Sequence, residues 1–97
     1  MKSIIQSKHE CYCCHTTRNL EEHHIFAGAY RNKSEQYGLK VYLCNKHHTG
    51  DEGVHSGHKW LDKALKTIAQ HRFEQEFPEL DFVEIFGRNY APERKDK

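Results

Sequence analysis

Two short stretches have the apolar, β-branched and aromatic character of strands. "EEHHIF" (residues 21–26) and "LKVYLC" (39–44) predict a pair of antiparallel strands. The segment between them, "AGAYRNKSEQYG" (27–38), is polar with a glycine near each end. It is too long for a tight hairpin turn and reads as a loop with a helical turn in it. After Cys44, "NKHHTGDEGVHSGH" (45–58) carries three glycines and four histidines and is expected to be only partly regular. The pattern then changes period. In "HKWLDKALKTIAQHRFEQEF" (58–77) apolar residues recur at Leu61, Leu65, Ile68, Ala69, Phe73 and Phe77, steps of three and four that predict an amphipathic helix. Asp62 and Lys66 form an i,i+4 pair on it. Pro78 ends this helix and is expected to open a shorter one in "PELDFVEIF" (78–86), stopped by Gly87. The charged tail 91–97 is expected to fray.

Composition changes this picture in one respect. Hydrophobic residues are 36% of the 97 and charged residues 30%, so the core is thin and a chain of this size needs a staple. Four cysteines and nine histidines offer one. The net charge of +1 neither demands nor excludes nucleic acid; a phosphate-binding surface has to be a local patch. No apolar run is long enough to span a bilayer, and "MKSIIQSKHE" lacks the apolar stretch of a signal peptide. A cytoplasmic location is the expectation, with no membrane partner. Cysteines stay reduced there, and clustered ones tend to bind metal.

"ECYCCH" places Cys11 and Cys14 at C-x2-C spacing, and "LCNKHH" places Cys44 and His47 at C-x2-H spacing. Two such tight turns complete the four-coordination of a zinc ion. Cys13 or His15 can exchange with one of these ligands on spacing alone, and the plainer reading is four ordinary thiols or a surface disulfide. A closed four-ligand site is structural, because it leaves no position for water.

His23, His24, His48 and His55 cluster around the same central segment, whereas His9, His58 and His71 read as surface residues. Four histidines beside a separate zinc cluster point to a second, functional metal site. Neighbouring side chains on a strand face opposite ways, so His23 and His24 cannot share one task.

C-x2-C, then "EHHIF", then "LCNKHH" closely resembles the HNH endonucleases, whose fold is the ββα-metal (His-Me) finger. The resemblance covers residues 11–55. It is greatest to the small phage-type HNH proteins, where a helix and a closing "IFG-NY" stretch follow, and this extends the likeness to Tyr90. The resemblance implies an α+β fold: one domain over 1–97, with a zinc-stapled ββα-metal core at 11–55, a C-terminal helical extension at 56–90 and a tail at 91–97. It also implies that His23 binds the catalytic divalent ion, that His24 is the general base, and that His48 and His55 supply further metal ligands. Two positions depart from the family pattern. His47 stands where a second cysteine is usual, and "YGLKVYLC" (37–44) holds no asparagine at the position just before the second strand, the residue that usually orients the finger loop.

Phosphodiester hydrolysis needs a deprotonated water and neutralisation of developing charge, which suit a histidine base and a divalent ion. Magnesium prefers oxygen ligands, while a histidine-rich site favours manganese, nickel or zinc. For DNA, Arg31, Lys33, Lys40 and Lys46 form one candidate patch, and Lys59 and Lys63 begin a basic stripe on the long helix. The resulting expectation is a metal-dependent DNA endonuclease with little sequence specificity. The rival is a catalytically silent zinc-finger module that binds DNA or protein.

Overall fold

A computed structural model describes residues 2–49 and 59–91. Strand β1 (Leu20–His24) is followed by a 3-10 turn (Gly28–Tyr30), helix α1 (Arg31–Tyr37), strand β2 (Lys40–Cys44) and a single helical turn, α2 (Asn45–His48). Helices α3 (Lys59–Glu76) and α4 (Phe82–Phe86) complete the order. The class is α+β, with one two-stranded antiparallel sheet among the described residues. Leu20 pairs with Cys44, Glu22 with Tyr42, His23 with Val41 and His24 with Lys40. Side-chain alternation therefore divides the sheet. Glu21, His23, Val41 and Leu43 share one face; Glu22, His24, Lys40 and Tyr42 share the other.

The connection between the strands is more ordered than its polar sequence suggests. It folds into α1, and the buried Ser34 ties that helix to both strands. The Ser34 hydroxyl accepts from the Phe26 amide at 2.9 Å and donates to the Leu39 carbonyl at 3.1 Å. Gly38 ends α1 in the left-handed region at φ 73°, where a side chain is strained. A Cβ there would also lie 2.4 Å from the Lys2 carbonyl oxygen, because the N-terminal segment crosses at that point. That segment then runs along β2. The Ser3 hydroxyl donates to the Lys40 carbonyl, and the Gln6 side chain accepts from the Tyr42 amide.

Helix α3 buries Leu61, Leu65, Ala69 and Phe73, one residue per four along a single stripe. Ile68 and Phe77, expected on the same face, are only half-buried. The stripe joins Ile25, Leu39, Val41 and Leu43 of the sheet region in one core. Rings compensate for the thin aliphatic content: Phe26 lies 4.8 Å from Phe86, Phe82 stacks on Phe86 at 4.7 Å, and Phe73 lies 5.4 Å from Phe82, centroid to centroid. Leu65 is 1% exposed in this core, so Leu65→Ala should lower stability by about 2–5 kcal/mol. Chemical denaturation checks this; an unchanged midpoint would make α3 an arm rather than part of the core.

The end of α3 corrects one expectation. Pro78 does not open α4; the helix starts four residues later with Asp81 as its cap. Asp81 Oδ1 accepts from the Val83 and Glu84 amides, satisfying donors that a helix start leaves open. Gly87 does stop it, at φ 79°. Beyond it the chain returns to α3, where the buried Gln70 donates to Asn89 Oδ1 at 2.8 Å and accepts from the Tyr90 amide at 2.6 Å. Ala91, assigned to the tail, is fully buried; 92–97 lie outside the described residues. No helix among the described residues is long and apolar enough to cross a membrane.

Candidate functional site

Cys11 and Cys14 lie on a knuckle that closes on itself. The Cys11 amide donates to the Thr16 carbonyl and the His15 amide to the Cys11 carbonyl, with His15 at φ 68° allowing the sharp reversal. The Tyr12 amide donates to the Tyr42 carbonyl at 2.8 Å, which docks the knuckle on β2 close to Cys44. The turn of α2 then carries His47 back towards Cys44. The side-chain ligand atoms of Cys11, Cys14, Cys44 and His47 all fall within 4.8 Å of one another.

Their spacing fits a tetrahedral zinc ion. With Zn–S near 2.3 Å and Zn–N near 2.0 Å, tetrahedral angles put two sulfurs about 3.8 Å apart and a sulfur and a nitrogen about 3.5 Å apart. Cys14 Sγ and Cys44 Sγ are 3.7 Å apart, and His47 Nδ1 lies 3.3 Å from Cys44 Sγ and 3.8 Å from Cys11 Sγ. Burial opposes ionisation of Cys11, yet the backbone amides of Cys44, Cys14 and Cys13 and the Cys14 side chain outweigh it and hold the thiol at about 6. Cys13 stays outside the cluster. Burial, and then the charges of Cys11, Cys14 and Cys44, push its thiol up to about 11. His15 is engaged elsewhere, its Nδ1 2.6 Å from Glu10 Oε2. Of the ligands that spacing leaves open, the fold brings Cys11, Cys14, Cys44 and His47 together in one cluster that could hold a metal ion.

Successive residues on a helix point about 100° apart, so α2 sends His47 to the Cys/His cluster and His48 elsewhere. The His48 ring lies 5.1 Å from the His23 ring, centroid to centroid, in an edge-to-face arrangement. Glu21, on the same sheet face as His23, accepts a hydrogen bond from His48 Nδ1. A carboxylate on Nδ1 places the proton there and the lone pair on Nε2, the tautomer of metal-bound histidines held by an outer carboxylate. His23 itself is 4% exposed. His55 lies outside the described residues.

His24 is on the opposite face. It is 9% exposed, and its Nε2 lies 2.7 Å from Glu35 Oε1. Lys40, its cross-strand neighbour, places Nζ 3.0 Å from both oxygens of Glu35 and 3.3 Å from Glu22 Oε2. His24 and then Lys40 hold the Glu35 carboxyl down at about 2. The interaction is therefore complete above the ordinary carboxylate range and is lost as pH falls through about 2. Burial favours neutral Lys40, but Glu35 and Glu22 outweigh it and raise the amine above its ordinary value.

This network engages two residues of the expected nucleic-acid patch, Lys40 and Lys33, within the chain itself. Lys40 is buried and pairs with the half-exposed carboxylates of Glu22 and Glu35. Lys33 is half-buried and turned inward, donating to the Ile85 carbonyl at 3.0 Å with its ammonium 5.7 Å from the centre of the Tyr30 ring. Arg31, Lys46, Lys59 and Lys63 are exposed. Sequence reasoning missed Glu35 and Ser34, both on α1; only the folding of a polar loop into a helix brings them to the strands. Ser34 ties the inter-strand segment to both Phe26 and Leu39. Comparison of the chain with family models, curated proteins and solved structures gives no match.

Proposed function

We propose that this chain is a divalent-metal-dependent DNA endonuclease of the HNH type, with β1, β2 and α2 as its ββα-metal finger and α3–α4 as a packed extension. The observation that carries this reading is the approach of His23 and His48, with Glu21 hydrogen-bonded to Nδ1 of the His48 ring. Two imidazoles from different elements, one fixed by a carboxylate, are the protein's share of a metal site that keeps positions open for water and phosphate. A divalent ion there supplies Lewis acidity towards the phosphate and leaving oxygens.

The remaining work falls to the chain. His23 and His24 are the last two residues of β1, so a phosphate lying across the strand end is within reach of both sheet faces. His24 accepts a proton from water as the water oxygen bonds to phosphorus, and the bond from phosphorus to the leaving nucleoside oxygen breaks. The leaving oxygen takes a proton from solvent. Arg31, Lys46, Lys59 and Lys63 supply salt-sensitive backbone contacts with little base readout.

The second reading, a silent zinc-finger module that binds DNA or protein, is favoured by one observation: His24 is nine-tenths buried and already hydrogen-bonded, as structural histidines are. Plasmid cleavage separates the two. Protein that retains its structural zinc should nick or cut DNA when supplied with manganese, nickel, magnesium or zinc, and should stop on removal of the added ion. Absence of cleavage with every ion, in folded zinc-loaded protein, would leave the binding module.

A further inference from the structure

We propose that Glu35 is the positioning residue for His24, and that Lys40 clamps Glu35 so that it holds one tautomer of the imidazole. This rests on the nuclease reading for its catalytic consequence but not for its geometry.

An ionised carboxylate only accepts hydrogen bonds. With Glu35 Oε1 2.7 Å from Nε2, His24 must donate from Nε2, and a neutral ring then carries its lone pair on Nδ1. Nδ1 is thus the nitrogen that can take a proton from water. Glu35 cannot easily turn away. Lys40 donates to both of its oxygens and also reaches Glu22, so the carboxylate that His24 contacts through Oε1 is held by a second partner on both oxygens. The helix that carries Glu35 is pinned as well: Ser34 bridges Phe26 and Leu39, and Lys33 donates to the Ile85 carbonyl of α4. Three consecutive residues of α1 therefore tie the catalytic candidate to the sheet, to the loop and to the C-terminal extension.

Two plainer explanations fit less well. Glu22, His24 and Glu35 lie close enough to hold a metal ion. The Lys40 ammonium already sits against both carboxylates, so the cation of this cluster is a side chain. A half-exposed ion pair kept only for stability contributes little, and it does not account for a buried imidazole aimed by one nitrogen at the same carboxylate.

The test is Glu35→Gln, with Glu35→Asp as the conservative variant. Lys40 requires an oxygen, so the Gln amide should turn its carbonyl to Lys40 and its NH2 to His24. Nε2 must then accept, and the proton moves to Nδ1. Nitrogen NMR of the His24 ring at a pH where it is neutral should show Nε2–H in the parent and in Glu35→Asp, and Nδ1–H in Glu35→Gln. Cleavage by Glu35→Gln should lose about 10²- to 10⁴-fold in kcat, the usual contribution of a general base, with KM and zinc content unchanged; Glu35→Asp should recover most of it. A parent ring found as Nδ1–H, or a Glu35→Gln variant with unaltered tautomer and kcat, overturns the proposal. If the parent cuts no DNA with any ion, the nuclease reading fails by itself, and the tautomer exchange alone decides whether Glu35 positions His24.

Discussion

Stripping zinc from Cys11, Cys14, Cys44 and His47 should unfold the protein, and readdition should refold it. The apolar content is 36% in 97 residues, and the cluster joins the N-terminal knuckle to the point where β2 becomes α2. Among the described residues the knuckle is otherwise held by the buried Cys11, by half-buried Tyr12 and Cys13, and by a few hydrogen bonds such as that from the Tyr12 amide to the Tyr42 carbonyl. Metal binding is then folding free energy, of the order of 10 kcal/mol for structural zinc at neutral pH. Elemental analysis should find one tightly held zinc per chain, and a strong chelator should abolish the cooperative melt. Cys44→Ala should abolish zinc retention. Cys13→Ser is the control, since Cys13 lies beside the cluster and is not one of its ligands. It should keep both the zinc and the melting temperature. A metal-free protein that melts like the zinc-loaded one would remove the staple from the account, as would loss of zinc from Cys13→Ser with retention in Cys44→Ala.

The features legible in the sequence are those that short-range chemistry determines. Spacing within two tight turns identified Cys11, Cys14, Cys44 and His47, and a period near 3.6 identified the helix that became Lys59–Glu76. The strands were visible because β-branched and aromatic residues follow the first (Ile25, Phe26) and lie within the second (Val41, Tyr42). What stayed hidden depends on the chain folding back on itself. Glu35 looked like one more charge in a polar loop, and its role follows only once α1 brings it eleven positions back to His24. Lys40 misled for the same reason. A lysine beside a candidate site suggests phosphate, but cross-strand pairing with His24 places it between Glu22 and Glu35. Ser34 carries no local signal for its two backbone bonds to Phe26 and Leu39. The sheet register also has a consequence that the bare "HH" pair only hints at: the two imidazoles do lie on opposite faces, each with its own glutamate-bearing neighbour.

That division of labour gives the second large effect. His24→Ala should cost about 10²- to 10⁴-fold in kcat, the contribution of a general base, and raising the divalent-ion concentration should not restore it. His23→Ala and His48→Ala should behave differently. Each removes one imidazole from the pair whose rings lie 5.1 Å apart, so each should weaken ion binding and shift the activation curve to higher ion concentration. Glu21→Gln should shift the curve in the same direction by less, because it disturbs only the carboxylate on His48 Nδ1. Zinc content should stay at one per chain in all four, since His48 and His47 leave α2 in different directions. Titration of cleavage against manganese for the four variants reads both effects at once. A contaminating nuclease would respond to none of the substitutions. If His24→Ala were rescued by added ion, His24 would be a ligand rather than the base. If His48→Ala left the activation curve in place, the ion would not sit between β1 and α2, and the cleavage site would have to be sought on the face that His24 shares with Glu22 and Lys40.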